Sequence, residues 1–236
     1  MTEIVNDIFT AFNQKNRIYN HNANDFIITE CLNKAIYDGN SDFLQYIVEI
    51  YPVSAEELQG FLLQTIPVHS VQKGHINILR WFMSWNYLKG FPFEFSFGYA
   101  ITSNQVNVLI WFMENCGYDI IREILAKYDY ANINLILEYS YNNPECYVRL
   151  LNKIVDVYNF DIRMITQIGL KYVMYNGSIL IANWIVSKFG NDVFFDPNRK
   201  LLKSAQEGRN VGEMVSWLKI KNTEITIHYR RINIRK

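Results

Sequence analysis

The chain has 236 residues, half of them hydrophobic and 19% charged, and its 23 lysines and arginines match its 23 aspartates and glutamates. That balance excludes a global field steering it to nucleic acid or to an anionic membrane. The apolar half is enough to bury a core, which excludes a disordered chain and predicts a folded, soluble one.

Residues 3–14 carry Ile4, Val5, Ile8, Phe9 and Phe12 at helical spacing. They predict an amphipathic helix of the kind that shields the open end of a repeat array. No basic region followed by an apolar one precedes it, and no apolar run approaches the roughly eighteen residues of a membrane span, so neither secretion nor membrane insertion is expected.

From Gly39 to Leu218 one pattern recurs: a Gly or Asn, then apolar residues four, five and eight positions later, usually with an aromatic at the seventh. The clearest copy is Gly74 with Ile78, Leu79, Trp81 and Phe82. Others begin at Gly39 (Phe43, Leu44, Tyr46, Ile47), Asn104 (Val108, Leu109, Trp111, Phe112), Asn143 (Tyr147, Val148, Leu150, Leu151), Gly177 (Ile181, Ala182, Trp184, Ile185) and Asn210 (Met214, Val215, Trp217, Leu218). Spacings of 35, 30, 39, 34 and 33 residues identify a repeat array, not one closed core.

Each anchor falls between two helical patterns, because Gly and Asn tolerate the left-handed backbone that reverses direction after a short helix. The helix before it carries an apolar residue seven positions upstream (Leu32, Phe97, Ile136, Leu170) and a small one four upstream (Ala35, Ser70, Ala100), which lets paired helices approach closely. Ser54-Ala55-Glu56-Glu57 has the capping-box spacing of a helix start, and Pro67 fits a first turn. The helix after the anchor is longer. Ile78, Leu79, Trp81, Phe82 and Trp85 give it a wide apolar stripe that needs neighbours on both sides.

The connector Tyr87-Leu88-Lys89-Gly90-Phe91-Pro92-Phe93-Glu94-Phe95 sets four aromatics around a Gly and a Pro. Its rings either fill the gap between the second and third units or bind a partner, and Tyr87, Phe91, Phe93 and Phe95 are the candidate partner-binding residues. The long interval before Asn143 holds an extra stretch, Ile120 to Tyr130, which predicts an added turn or helix; Asn132 (Ile136, Leu137, Tyr139) is an alternative anchor there. At the end, Glu224 to Tyr229 alternates polar and apolar residues before Arg230, Arg231, Arg235 and Lys236, so an edge strand or a basic, solvated tail is expected.

Gly74-His75-Ile76-Asn77-Ile78-Leu79-Arg80-Trp81-Phe82 resembles the second-helix signature of the ankyrin repeat, and Ala35 to Gly39 and Ala100 to Asn104 resemble its Ala-x-x-x-Gly first-helix ending. The resemblance covers roughly residues 31–220, and its period of about 33 agrees. The Thr-Pro-Leu-His opening of a standard repeat is absent. A divergent, more nearly all-helical array is implied, of a kind abundant in large DNA viruses and some protists. Isoleucine, asparagine and tyrosine together exceed a quarter of the chain, as an AT-rich coding genome tends to produce. The resemblance implies protein–protein binding and brings no catalytic residues.

No phosphate-binding Gly loop, His-Glu-x-x-His helix or Cys-x-x-Cys pair occurs. His69 and His75 lie six apart, on different helix faces, without an acidic or thiol ligand. Cys31, Cys116 and Cys146 read as buried free thiols of a reducing compartment. Ser216-Trp217-Leu218-Lys219 matches the Ser-x-x-Lys of some acyl transferases without the companion motifs, and Asn176-Gly177-Ser178 is a repeat turn before it is a glycosylation acceptor. Trp81, Trp111, Trp184 and Trp217 share one register and read as core.

The expected molecule is all-α, an α-solenoid of about six ankyrin-like helix-turn-helix repeats. Residues 1–30 form a capping helix and linker, 31–222 the array and 223–236 the strand or tail. It is expected to be a cytoplasmic protein–protein interaction module (in the host cytoplasm if viral), not an enzyme, with a protein partner and no cofactor, metal or membrane; nucleic acid is disfavoured. The alternative is an assembly protein that associates with itself.

Overall fold

The computed structural model describes residues 21–50, 55–84, 91–159, 167–194 and 199–234. Among them there is no strand, and the chain is all-α. Helices come in pairs: α1 (His21–Asp38) with α2 (Ser41–Ile50), α3 (Ala55–Lys73) with α4 (Ile76–Ser84), and α5 (Phe93–Thr102) with α6 (Val106–Asn115). Then follow α7 (Tyr118–Tyr139) with α8 (Pro144–Tyr158), α9 (Gln167–Asn176) with α10 (Ile179–Phe189), and α11 (Lys200–Gln206) with α12 (Val211–Ile234).

The first helices pack in order, α1 on α3, α5, α7, α9 and α11, to make one layer. In the other, α2 packs on α4, α6 on α8, α8 on α10 and α10 on α12. Counted from the turn residue, the first helices bury positions seven, four and three upstream, as in Leu32, Ala35 and Ile36 or Phe97, Ala100 and Ile101. The second helices bury positions four, five, seven and eight downstream, as in Ile78, Leu79, Trp81 and Phe82. Each pair thus shares its core with its neighbours, so stability accumulates joint by joint.

Gly39, Gly74, Asn104 and Gly177 have φ of 70°, 80°, 57° and 69°, the left-handed backbone expected of a turn residue. Each ends its helix with the same two bonds. At Gly39 its own N–H donates to Ile36 O at 3.2 Å and the Asn40 N–H to Ala35 O at 2.8 Å; at Gly74 the donors are Gly74 to Val71 and His75 to Ser70. The small residue four upstream therefore lies on the carbonyl that closes the turn. A Cβ on Gly39 would lie 2.6 Å from His75 Nδ1, and one on Gly74 2.5 Å from Gln105 Oε1. Glycine is demanded twice, by φ and by the next pair's side chain.

Several expectations are corrected. Helix α3 passes through Pro67 instead of starting there, since the helix already begins at Ala55. Residues 224–229 are helical, not a strand, because no Gly or Pro interrupts residues 213–234 and α12 propagates from its packed start. Asn143 is no left-handed turn: its φ is −154°, and its side chain caps α8 by accepting the Cys146 N–H. The extra stretch adds no separate helix but lengthens α7. Asn132 is not an anchor; within α7 its Nδ2 donates to Ile124 O at 2.7 Å, eight residues back. A straight helix rises roughly 12 Å over eight residues, so α7 bends here. The cysteines are free but only half-buried. Residues 3–14, Ser54, Trp85 and Tyr87 lie outside the described residues.

Candidate functional site

Burial of one face leaves α1, α5 and α9 an outer face, two, five, six and nine positions before the turn. In α1 this face holds Glu30, Asn33, Lys34 and Tyr37; in α5 Phe95, Gly98, Tyr99 and Thr102; in α9 Ile168, Lys171, Tyr172 and Tyr175. Equivalent rows thus carry Tyr37 and Tyr175, or Phe95 and Ile168, all exposed. His69 of α3 meets the Tyr37 ring edge-on at 6.0 Å between centroids, and the Lys73 ammonium stands 4.6 Å over that ring. Phe95 and Tyr99 are 6.0 Å apart. Beside them Gly98 leaves a hollow, with no heavy atom within 4 Å of where a Cβ would stand. Near the C-terminal pairs the Arg209 guanidinium lies 4.0 Å over the Tyr141 ring.

The connector residues divide. Phe91 is 7% exposed and packs on Phe82, Phe93 and Phe112, with centroids 5.6, 4.7 and 6.3 Å away. Phe93 is half-buried and meets Phe112 at 6.2 Å. These two rings fill the gap between the second and third pairs. Phe95, 68% exposed, is the ring a partner could reach. The hollow lined by Leu79, Phe82, Met83, Phe91, Phe93 and Trp111 has wholly apolar walls and room for about one water, which suits no substrate.

The joints between pairs are polar bonds in register. His75 Nε2 bonds Tyr37 O at 2.9 Å and Gln105 Nε2 donates to Gln72 O at 3.0 Å, each side chain capping the preceding first helix. In the second layer Trp81 Nε1 donates to Gln45, Trp184 to Asn152 and Trp217 to Asn183. Trp81, Trp111 and Trp184 are buried and Trp217 is half-buried. The Trp184 bond also sets the register of α8. Leu150, Leu151 and Ile154 occupy the buried positions and Lys153 takes the tryptophan position, pairing with Glu114 at 2.7 Å.

Among the described residues no group of three His, Cys, Asp or Glu side chains could hold a metal, and no helix is long and apolar enough to cross a membrane. Ser216 and Lys219 stand exposed on α12, and Asn176 is buried with its amide donating to Glu138 O at 2.6 Å. The fully buried Tyr147 hydroxyl has no hydrogen-bond partner among the described residues, and burial, with Tyr139 and Tyr141 nearby, pushes its pKa up. Burial likewise pushes the Cys116 thiol up to about 12, so it is a poor nucleophile. No protein-family model, curated protein or solved structure matches the chain.

Proposed function

We propose that this chain is an ankyrin-like α-solenoid that binds a protein partner through the outer face of its first-helix layer and catalyses no reaction. The observation that carries the reading is the recurrence of exposed aromatics in equivalent rows, Tyr37 and Tyr175 at one position and Phe95 at another. Aromatic side chains anchor interfaces because they bury much area at little entropic cost. Stacked pairs hold these rows in fixed register, so a partner meets a preorganised surface and little ordering entropy is lost. The ankyrin-like reading is supported by the left-handed turns, the small residue four before them and the paired aliphatics after them. The one connector between pairs that lies wholly among the described residues, Cys116-Gly117 between α6 and α7, carries no β-hairpin.

A photo-reactive phenylalanine analogue replacing Phe95 tests the assignment, with the same group at the exposed Arg149 of α8 as control. The expected result is a cross-linked partner from position 95 and none from position 149. Cross-linking from 149 alone would move the interface to the other layer.

A further inference from the structure

The first-helix layer is electrically polarised. Helices α1, α3, α5 and α7 each carry more carboxylates than cations, whereas α9, α11 and the turn after α11 carry Lys171, Lys200, Lys203 and Arg209 against Glu207 alone. The chain as a whole is neutral, so this positive region is a local feature.

Two of these cations have no carboxylate mate. Lys171 lies in an outer row of α9, four residues before the exposed Tyr175 and so one turn along the same face. Arg209 is exposed; its backbone N–H donates to Tyr175 O at 2.7 Å and its guanidinium lies 4.0 Å over the Tyr141 ring. It is thus anchored on the fifth pair and reaches the fourth. Among the described residues neither Lys171 nor Arg209 enters an ion pair, although the same layer pairs Lys34 with Asp38 at 2.7 Å and Lys203 with Glu207 at 3.8 Å. A ring beneath a guanidinium holds its plane without neutralising it, so the N–H fork at its edge stays open to a carboxylate. Little side-chain entropy is then lost when that carboxylate arrives.

We propose that this end of the outer face takes an acidic segment of the protein partner, one carboxylate in the Arg209 fork and another on the Lys171 ammonium. The proposal rests on the first-helix face being the partner-binding one, and it adds the chemistry and direction of what binds: the acidic end lies over α9 and α11. A nucleic acid strand running along the rows would carry its phosphates onto the carboxylates of α7 and α5, whereas a peptide can be acidic at one end only.

Selection from a displayed library of random short peptides against the wild-type chain tests it. The selected peptides should be enriched in Asp and Glu over the starting library. A synthetic copy of the most frequent one should bind more weakly as salt is raised. Arg209→Gln should raise its Kd at least about tenfold, while Arg149→Gln, an exposed site on α8, leaves it unchanged. Arg209→Lys keeps the charge without the fork and should fall between the two. Lys171→Gln is the second variant should Arg209→Gln fold poorly, and melting curves of each check the fold. Peptides that are not acidic, yet are lost by Phe95→Ala with Tyr175→Ala, overturn the acidic class and leave the face standing. Peptides that bind that double variant and Arg209→Gln as well as wild type overturn the face reading together with the proposal. Acidic peptides weakened equally by Arg209→Gln and Arg149→Gln overturn it too, since a charge anywhere on the chain would then serve. So does an empty selection, or a labelled DNA duplex that binds wild type and is lost in Arg209→Gln, which assigns the site to nucleic acid.

Discussion

The indole Nε1 of Trp184 donates to Asn152 Oδ1 at 2.9 Å, reaching back 32 residues into the preceding helix pair. Trp217 and Asn183 repeat it across 34 residues, and Trp81 and Gln45 across 36. At Trp111 the corresponding position of the preceding pair is Arg80, whose guanidinium has donors only. The indole joint therefore recurs at three steps of the array, and the Trp111 step does without it.

Trp184→Phe keeps a buried ring but strands the Asn152 oxygen, and should cost about 1 kcal/mol more than the ring change alone. Trp111→Phe loses no such bond to the preceding pair and should cost less. Urea melts of both, with Asn152→Ala to complete a double-mutant cycle on Trp184, measure the difference. Equal losses at the two sites, or no coupling between Trp184 and Asn152, would contradict the joint.

Three glycines give three different answers. Gly39→Ala must hold φ of 70° and displace the His75 ring, so it should lose more than the about 1–2 kcal/mol of left-handed strain. Gly190→Ala, at φ of 85° and ψ of 169°, meets open space but sits in a backbone region kept almost wholly to glycine, and should lose about 1–3 kcal/mol. Gly98→Ala, inside α5 and facing open space, should gain about 0.5–1 kcal/mol. Thermal melts should place Gly39→Ala and Gly190→Ala below wild type and Gly98→Ala above it.

Phe91→Ala removes a core ring and should cost about 3–5 kcal/mol of stability. Phe95→Ala should leave the melt within about 0.5 kcal/mol of wild type and weaken partner binding by about 2 kcal/mol. A large drop in melting temperature for Phe95→Ala would place that ring in the core.

Alkaline pH should destabilise the fold. Burial raises the Cys116 thiol from 9.0 to about 12, and raises Cys31, Tyr147 and Tyr158 above their ordinary values. The unfolded chain therefore ionises first and holds fewer protons than the folded one. This stability is full below pH about 9 and is lost as pH rises toward 12. Urea midpoints should fall between pH 8.5 and 10.5, and less steeply in Cys116→Ala; an unchanged midpoint would rule out these groups.

The helix pairs were legible because burial on one face writes itself as apolar spacing, and Gly39, Gly74, Asn104 and Gly177 marked true turns. Periodicity misread the fourth pair, where α7 is long and a 3-10 turn precedes Asn143, so that Lys153, not an aromatic, occupies the tryptophan position. It also could not separate Phe91 from Phe95, since both are aromatics in one connector and only the packing of Phe82 and Phe112 decides which is covered. The joint acceptors Gln45, Asn152 and Asn183 gave no apolar signal. Their spacing from the tryptophans was the clue available.

Affinity capture from the native cell, with the wild-type chain, the double variant Phe95→Ala with Tyr175→Ala, and Arg149→Ala as bait, tests the central claim most directly. The expected result is a partner recovered equally by wild type and Arg149→Ala and lost by the double variant, with all three melting alike. Equal recovery by all three baits would contradict binding through the first-helix face.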